Sequence, residues 1–166
     1  MIIMGVDPGV AITGYAFVEE EGGQFTRLAS GCILTGKESP TSLRLAQIYE
    51  QVLALAAAYR PEAMALEKIF FHKNTRTALQ VGEARGTVIL AAAKSGLELF
   101  EYTPLQVKQA VAGYGKSEKA QVQKMVQLLL HLEKMPAVDD EADALAIALC
   151  HLQHRRFQEA VEGARK

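Results

Sequence analysis

An acid closes the first apolar run of this chain, and no other feature constrains the fold as much. Ile2, Ile3, Met4, Gly5 and Val6 form an uncharged run that stops at Asp7, Pro8 and Gly9. So short a run of branched residues reads as a strand buried on both faces. Pro8 cannot donate to a sheet ladder, and Gly9 permits a tight turn, so the strand ends at or just after Asp7. A carboxylate emerging from a buried strand is costly unless positive charge compensates it. Either the segment is a plain Asp-Pro-Gly turn, or the rest of the chain brings further carboxylates and a metal to Asp7.

Two more places repeat the oddity. Glu67 follows the apolar run Ala63, Met64, Ala65, Leu66, and alternation puts Ala63, Ala65 and Glu67 on one strand face. Asp140 and Asp143 are spaced i, i+3, which places them on one face of a helix whose remainder (Ala142, Leu145, Ala146, Ile147, Leu149) is apolar. Acids in a first helical turn also suit the helix dipole, so this pair alone is ambiguous. Together the four acids form an all-oxygen ligand set suited to hard divalent cations such as Mg²⁺. Two such ions can stabilise an attacking water and a leaving oxygen together. The four histidines lack paired metal-ligand partners and do not suggest zinc.

The element order follows from periodicity and punctuation. Residues 13–20 alternate as a second strand, residues 21–24 turn, and residues 25–35 form a third strand. Residues 40–59 have helical spacing, with Ser39 or Thr41 as the cap and Arg60-Pro61 as the stop. Residues 62–69 read as a fourth strand, 74–95 as a long helix stopped by Gly96, and 97–102 as a fifth strand. Short helices follow to Ala112 and from about Ser117 to Glu133, and a last helix opens at Asp139 or Asp140 and runs to about His154. The expected fold is α/β: a five-stranded mixed sheet, its first three strands antiparallel, flanked by helices on both faces. One domain of residues 1–155 is expected, with a polar, flexible tail over 156–166.

With 49% hydrophobic and 22% charged residues among 166, the chain can bury a real core. No signal segment or membrane span is legible, so a soluble, cytoplasmic protein is expected. Cys32 and Cys150 are isolated and read as reduced thiols. The net charge of −1 hides an uneven distribution: residues 68–124 carry +5, between flanks of −4 and −2. That basic middle is either an anion-binding face or a set of solvated helix surfaces.

The residues G-x-D-P-G with T-G-Y (Gly5 to Tyr15), E-x-x-F (Glu67 to Phe70) with Lys73 and Asn74, Q-V-K-Q (Gln106 to Gln109), E-K-x-Q-V (Glu118 to Val122) and D-x-x-D-A-L-A-I-A (Asp140 to Ala148) resemble the RuvC family of Holliday junction resolvases. That family belongs to the ribonuclease H-like superfamily. The resemblance covers residues 1 to about 155. It implies a ribonuclease H-like fold and a homodimer that nicks two opposed strands of a four-way DNA junction in recombination and repair. It implies Mg²⁺ as cofactor, two ions per subunit, with Mn²⁺ able to substitute. It makes Asp7, Glu67, Asp140 and Asp143 the catalytic metal ligands, Asp140 being the position where relatives can carry His. Among partners it implies junction DNA and the branch-migration proteins RuvA and RuvB.

Other residues fit this picture. Phe70 is the candidate for stacking on an unpaired base and Phe71 the candidate for packing, with Lys73 and Arg76 nearby as DNA-binding cations. Lys108 and Lys119 match family lysines near the DNA. Ala78, Gly82 and Gly86 form a small-residue ridge at i, i+4, i+8 that another element can approach, either the subunit's own sheet or a dimer partner. Two other functions share parts of the pattern. An RNA/DNA-hybrid nuclease would use the same acids. An actin-like ATPase or kinase would use a glycine-rich Asp loop like Gly5 to Gly9, but needs a second such loop, which is missing.

Overall fold

The computed structural model describes residues 1–68 and 75–163, without the side chains of 75–77. Five strands, β1 (Ile2–Asp7), β2 (Ile12–Glu21), β3 (Gln24–Leu34), β4 (Ala63–Glu67) and β5 (Glu98–Tyr102), form one sheet in the order β3-β2-β1-β4-β5. β1–β2 and β2–β3 are antiparallel; β1–β4 and β4–β5 are parallel. The helices are α1 (Thr41–Tyr59), α2 (Thr75–Lys94), α3 (Pro104–Ala112), α4 (Lys119–Leu129) and α5 (Asp139–Gly163). This is the mixed sheet with an antiparallel first half that the element order predicts.

Strand alternation splits the core in two. Met4, Val6, Phe17, Met64 and Leu66 pack with Ile48 and Val52 of α1 and with Ala84, Val88 and Ala91 of α2. Ile3, Ala16, Val18, Ala63 and Ala65 face the other way, against Val107 and Val111 of α3, Val122 and Val126 of α4, and the apolar face of α5. Gly5 and Asp7 share the face of Ile3, and Glu67 shares that of Ala63 and Ala65. Both strand-end acids therefore point to the side where α5 lies.

That side of the sheet centre is unusually shallow. Gly5 pairs laterally with Ala16 and with Ala65. A Cβ on Gly5 would strike the backbone of α5 at Ala144 and Ala148, and one on Gly14 would strike it at Asp140. Only glycine leaves room for a helix backbone that close. Ala144 and Ala148 of α5 are fully buried in the same contact.

Most element ends fall within a residue or two of the expected ones, and four departures are informative. β4 spans Ala63–Glu67 rather than 62–69, although Lys68 N–H still donates to Tyr102 O at 2.7 Å. α1 has Pro40 at its N-cap, and neither Ser39 nor Thr41 supplies a cap. α4 stops at Leu129, short of Glu133. His131 adopts φ 51°, and Gln127 Nε2 holds the carbonyls of Leu132 and Glu133, which turns the chain back. α5 continues past His154 to Gly163. Arg155 pairs with Glu159 one turn on at 2.9 Å, and Arg156 lies 5.5 Å over the Phe25 ring while donating to Gly23 O. The polar residues there form an exposed helical extension with contacts to the β2–β3 turn.

Gly14→Ala tests the close approach directly. A methyl group meeting the Asp140 carbonyl must displace the start of α5, so urea unfolding should show a loss of about 1–3 kcal/mol. Gly22→Ala, at a turn where a Cβ meets nothing, should cost less than Gly14→Ala despite its φ of 57°.

Candidate active site

Asp7 ends β1, Glu67 ends β4, and Asp140 and Asp143 open α5. β1 and β4 are neighbouring parallel strands, so their C-terminal ends lie side by side. The glycine-lined contact sets the first turn of α5 on those ends. The turn after Asp7 is fixed at two points. Thr13, fully buried, donates from Oγ1 to Gly9 O at 2.7 Å. Thr35 Oγ1 donates to Val10 O and accepts from Arg44 Nε at 2.8 Å.

The four acids feel one another. Burial, then the charges of Asp143, Asp140 and Glu67, push the Asp7 carboxyl up to about 7, with Lys119 opposing. Glu67 is raised by burial and by Asp143, against Lys108 and Lys119. Burial also raises Asp143, with Lys119 opposing. Lys119 Nζ donates to Asp143 Oδ2 at 3.1 Å and lies 3.2 Å from Asp139 Oδ2. Burial works against the Lys119 charge, but its bonds to Asp143 and Asp139 outweigh that and hold its pKa above the usual value. Lys119 thus stands at the acid cluster, in contact with Asp143 and Asp139.

Among the described residues, no three His, Cys, Asp or Glu side chains are grouped as a closed ion site. Asp7, Glu67 and Asp143 all have raised carboxyl pKa values, as burial and neighbouring like charges with few cations dictate. Four carboxylates with a shortfall of positive charge nevertheless fit a hard divalent cation and fit little else.

Phe70, Phe71 and Lys73 lie outside the described residues, as does the side chain of Arg76. Of the ridge, Gly82 and Gly86 face open space among the described residues, since a Cβ on either meets none of their atoms within 4 Å. The ridge therefore does not pack on its own sheet. Ala78 is half-buried on the same helix. Cys32 and Cys150 are both free thiols.

Sequence reasoning missed the supports. Arg85 of α2 donates from Nη1 to the Glu67 carbonyl at 2.7 Å and pairs with Glu101 of β5. A lone cation between Ala84 and Gly86 in an apolar helix was its only signal. Asp139 shares Lys119 with Asp143 and was masked by its neighbours in an acidic run. Gly5 and Gly14 were read as turn or motif residues, not as the places where α5 touches the sheet.

The comparisons with known proteins agree. The family model described as "Crossover junction endodeoxyribonuclease RuvC" matches residues 3–151. The RuvC of Pelotomaculum thermopropionicum is 56% identical over 158 residues, covering 95% of this chain and 96% of that protein. That of Brevibacillus brevis is 51% identical over 166 residues, the full length of both. A solved structure of Thermus thermophilus RuvC in complex with Holliday junction substrate superposes with a TM-score of 0.91 at 37% identity, covering 95% of this chain and 96% of that one. The ribonuclease H-like fold follows from the same superposition. With its acids, their strands and its full-length similarity in agreement, this chain belongs to the RuvC family of crossover junction endodeoxyribonucleases.

Proposed function

We propose that this protein is an endonuclease that resolves four-way DNA junctions by paired, symmetric nicks, with Asp7, Glu67, Asp140 and Asp143 holding divalent cations. The observation that carries this is the placement of Asp7 and Glu67 at the ends of neighbouring parallel strands, with the turn of α5 that bears Asp140 and Asp143 packed against Gly14 beside them. A binding scaffold would gain nothing from four carboxylates set against one another on strand and helix ends. The cation is Mg²⁺, two per subunit, with Mn²⁺ able to replace it. When bound, such a pair stabilises the attacking water and the leaving oxygen of phosphodiester hydrolysis.

The chain's own residues do the rest. Asp7, at the rigid end of β1, is placed between the Glu67 strand end and the α5 acids. Lys119 neutralises part of the acid charge, which a phosphodiester would otherwise meet as repulsion. Lys108 acts on Glu67 in the same sense. Phe70, with Lys73 and Arg76, is assigned to the unpaired bases and backbone at the junction centre. Junction DNA is the substrate, RuvA and RuvB are the partners in branch migration, and the setting is the cytoplasm. Among the described residues, no helix is long and apolar enough to cross a membrane.

A four-way junction presents two equivalent strands about a two-fold axis, so paired nicks need two sites related the same way. The exposed face of α2 supplies the interface: Leu79 (66% exposed), Gly82, Gly86 and Leu90 (52% exposed) follow one another at helical spacing. Such a face has no partner among the described residues of the subunit and suits a second copy of itself. Ala78 belongs to the same interface.

Three outcomes are expected. Asp7→Asn should lower cleavage by about 10³-fold or more while junction affinity in gel shifts stays within a fewfold. Equal loss of both would make Asp7 structural. In thermal unfolding without divalent ions, the stability that Asp7 confers by holding its proton is full below pH 3.8 and lost as pH rises through about 7. His151, lowered to about 4 by burial, then by Arg155 and His154, works in the opposite sense below 6.5, so the two variants must be compared at each pH. Asp7→Asn should therefore have the higher Tm at pH 8, by several degrees, with the gap closing toward pH 5. Gly82→Leu should give a folded monomer by circular dichroism and light scattering, because its own subunit leaves the space open. It should make unpaired nicks.

A further inference from the structure

A cleft of about 490 Å³ opens beside the acid cluster, on the α1 and α2 side of the sheet. Its walls are the turn from Gly9 to Ile12, Lys37, Arg44, Gln80 and, at one end, Asp140. We infer that this cleft is a phosphate-binding subsite that seats the backbone phosphate next to the scissile one on the cleaved DNA strand. The inference rests on reading the four carboxylates as the site of strand cleavage.

Two observations carry it. The first is unbalanced charge. Neither Lys37 nor Arg44 pairs with a carboxylate among the described residues, although both line a cleft that Asp140 also lines. Residues 69–77 and 164–166 contain no Asp or Glu that could serve instead. Lys119, by contrast, is taken up by Asp143 and Asp139. Two cations left available in one concave site create a positive potential that an anion satisfies.

The second observation is rigidity. Arg44 is held by its Nε to Thr35 Oγ1 at 2.8 Å, and Thr35 in turn is anchored on Val10 O. Thr35 N–H donates to Ala11 O at 3.1 Å. The guanidinium is thus fixed to the same turn that fixes Asp7, with its outer nitrogens left for a ligand. A planar guanidinium held this way suits a phosphate.

Position selects the ligand. Arg44 comes from α1 and Lys119 from α4, which pack on opposite faces of the sheet. The acids lie at the strand ends between them. A DNA strand carries a charge on every nucleotide, so a strand laid with one phosphate at the acids must seat its neighbours to either side. Lys119 and Lys108 serve one side, and the cleft serves the other.

The test uses the full-length protein carrying Asp7→Asn, so that binding is read without cleavage. Affinity for a synthetic four-way junction is measured against salt for this parent, for added Lys37→Gln, and for added Arg44→Gln, with circular dichroism on each. Either change should weaken binding roughly fivefold and flatten the slope of log K against log salt by about one. The junction is then made with a neutral methylphosphonate in place of each phosphate flanking the cut mapped with the unaltered enzyme. At one flanking position the substitution should abolish the difference between Lys37→Gln and its parent. Unchanged slopes in folded variants, or a difference that persists at both flanking positions, would overturn the subsite. If the unaltered enzyme fails to cut the junction at all, the reading of the acids fails, while the salt slopes still report on the cleft.

Discussion

Gly5 and Gly14 leave the middle of the sheet open on one face, and the backbone of α5 fills the opening. Every later feature of the site depends on that contact. β1 and β4 can carry acids at their ends without consequence as long as nothing meets them there. It is the first turn of α5, pressed onto the strand ends, that converts two isolated carboxylates into a set of four. Raising Asp7 from 3.8 to about 7 corresponds to about 4 kcal/mol against its ionised form. Leu145, Ile147, Leu149 and Leu152 of the same helix are buried at about 1.5–3 kcal/mol each. The buried apolar face of the same helix opposes that repulsion by anchoring the first turn of α5.

The surroundings are braced to resist that repulsion. Thr13 and Thr35 clamp the turn after Asp7, and Arg85 grips the carbonyl of Glu67 from the opposite face of the sheet. Glu67 is thus held through its backbone carbonyl, and Asp7 through the turn that follows it, without either brace engaging the carboxylate. Lys119 is the exception, since it binds the Asp143 side chain directly. It trims the charge without removing it.

Much of this was legible in the sequence because the signals were local. An acid at the end of an apolar run, twice, and an acid pair on an apolar helix single out the four candidate carboxylates, and strand alternation puts Glu67 on the face where α5 lies. The strand meander and crossover helices follow from turn residues and periodicity. What stayed hidden depends on contacts distant in sequence. Nothing near Gly14 announces that residue 140 will rest on it, and Arg85 looks like any helical arginine until Glu67 and Glu101 are beside it. The last turns of α5 were hidden for a related reason: the polar residues beyond His154 carry no apolar periodicity, whereas Glu159 and the Phe25 ring give Arg155 and Arg156 partners.

The central claim is that α5 completes a carboxylate site for divalent cations on the ends of β1 and β4. Anomalous diffraction from a crystal soaked in Mn²⁺ tests it most directly. The account predicts manganese density in contact with Asp7 and shared with Glu67, Asp140 or Asp143. Manganese bound elsewhere, with the Asp7 carboxylate bare, would contradict it.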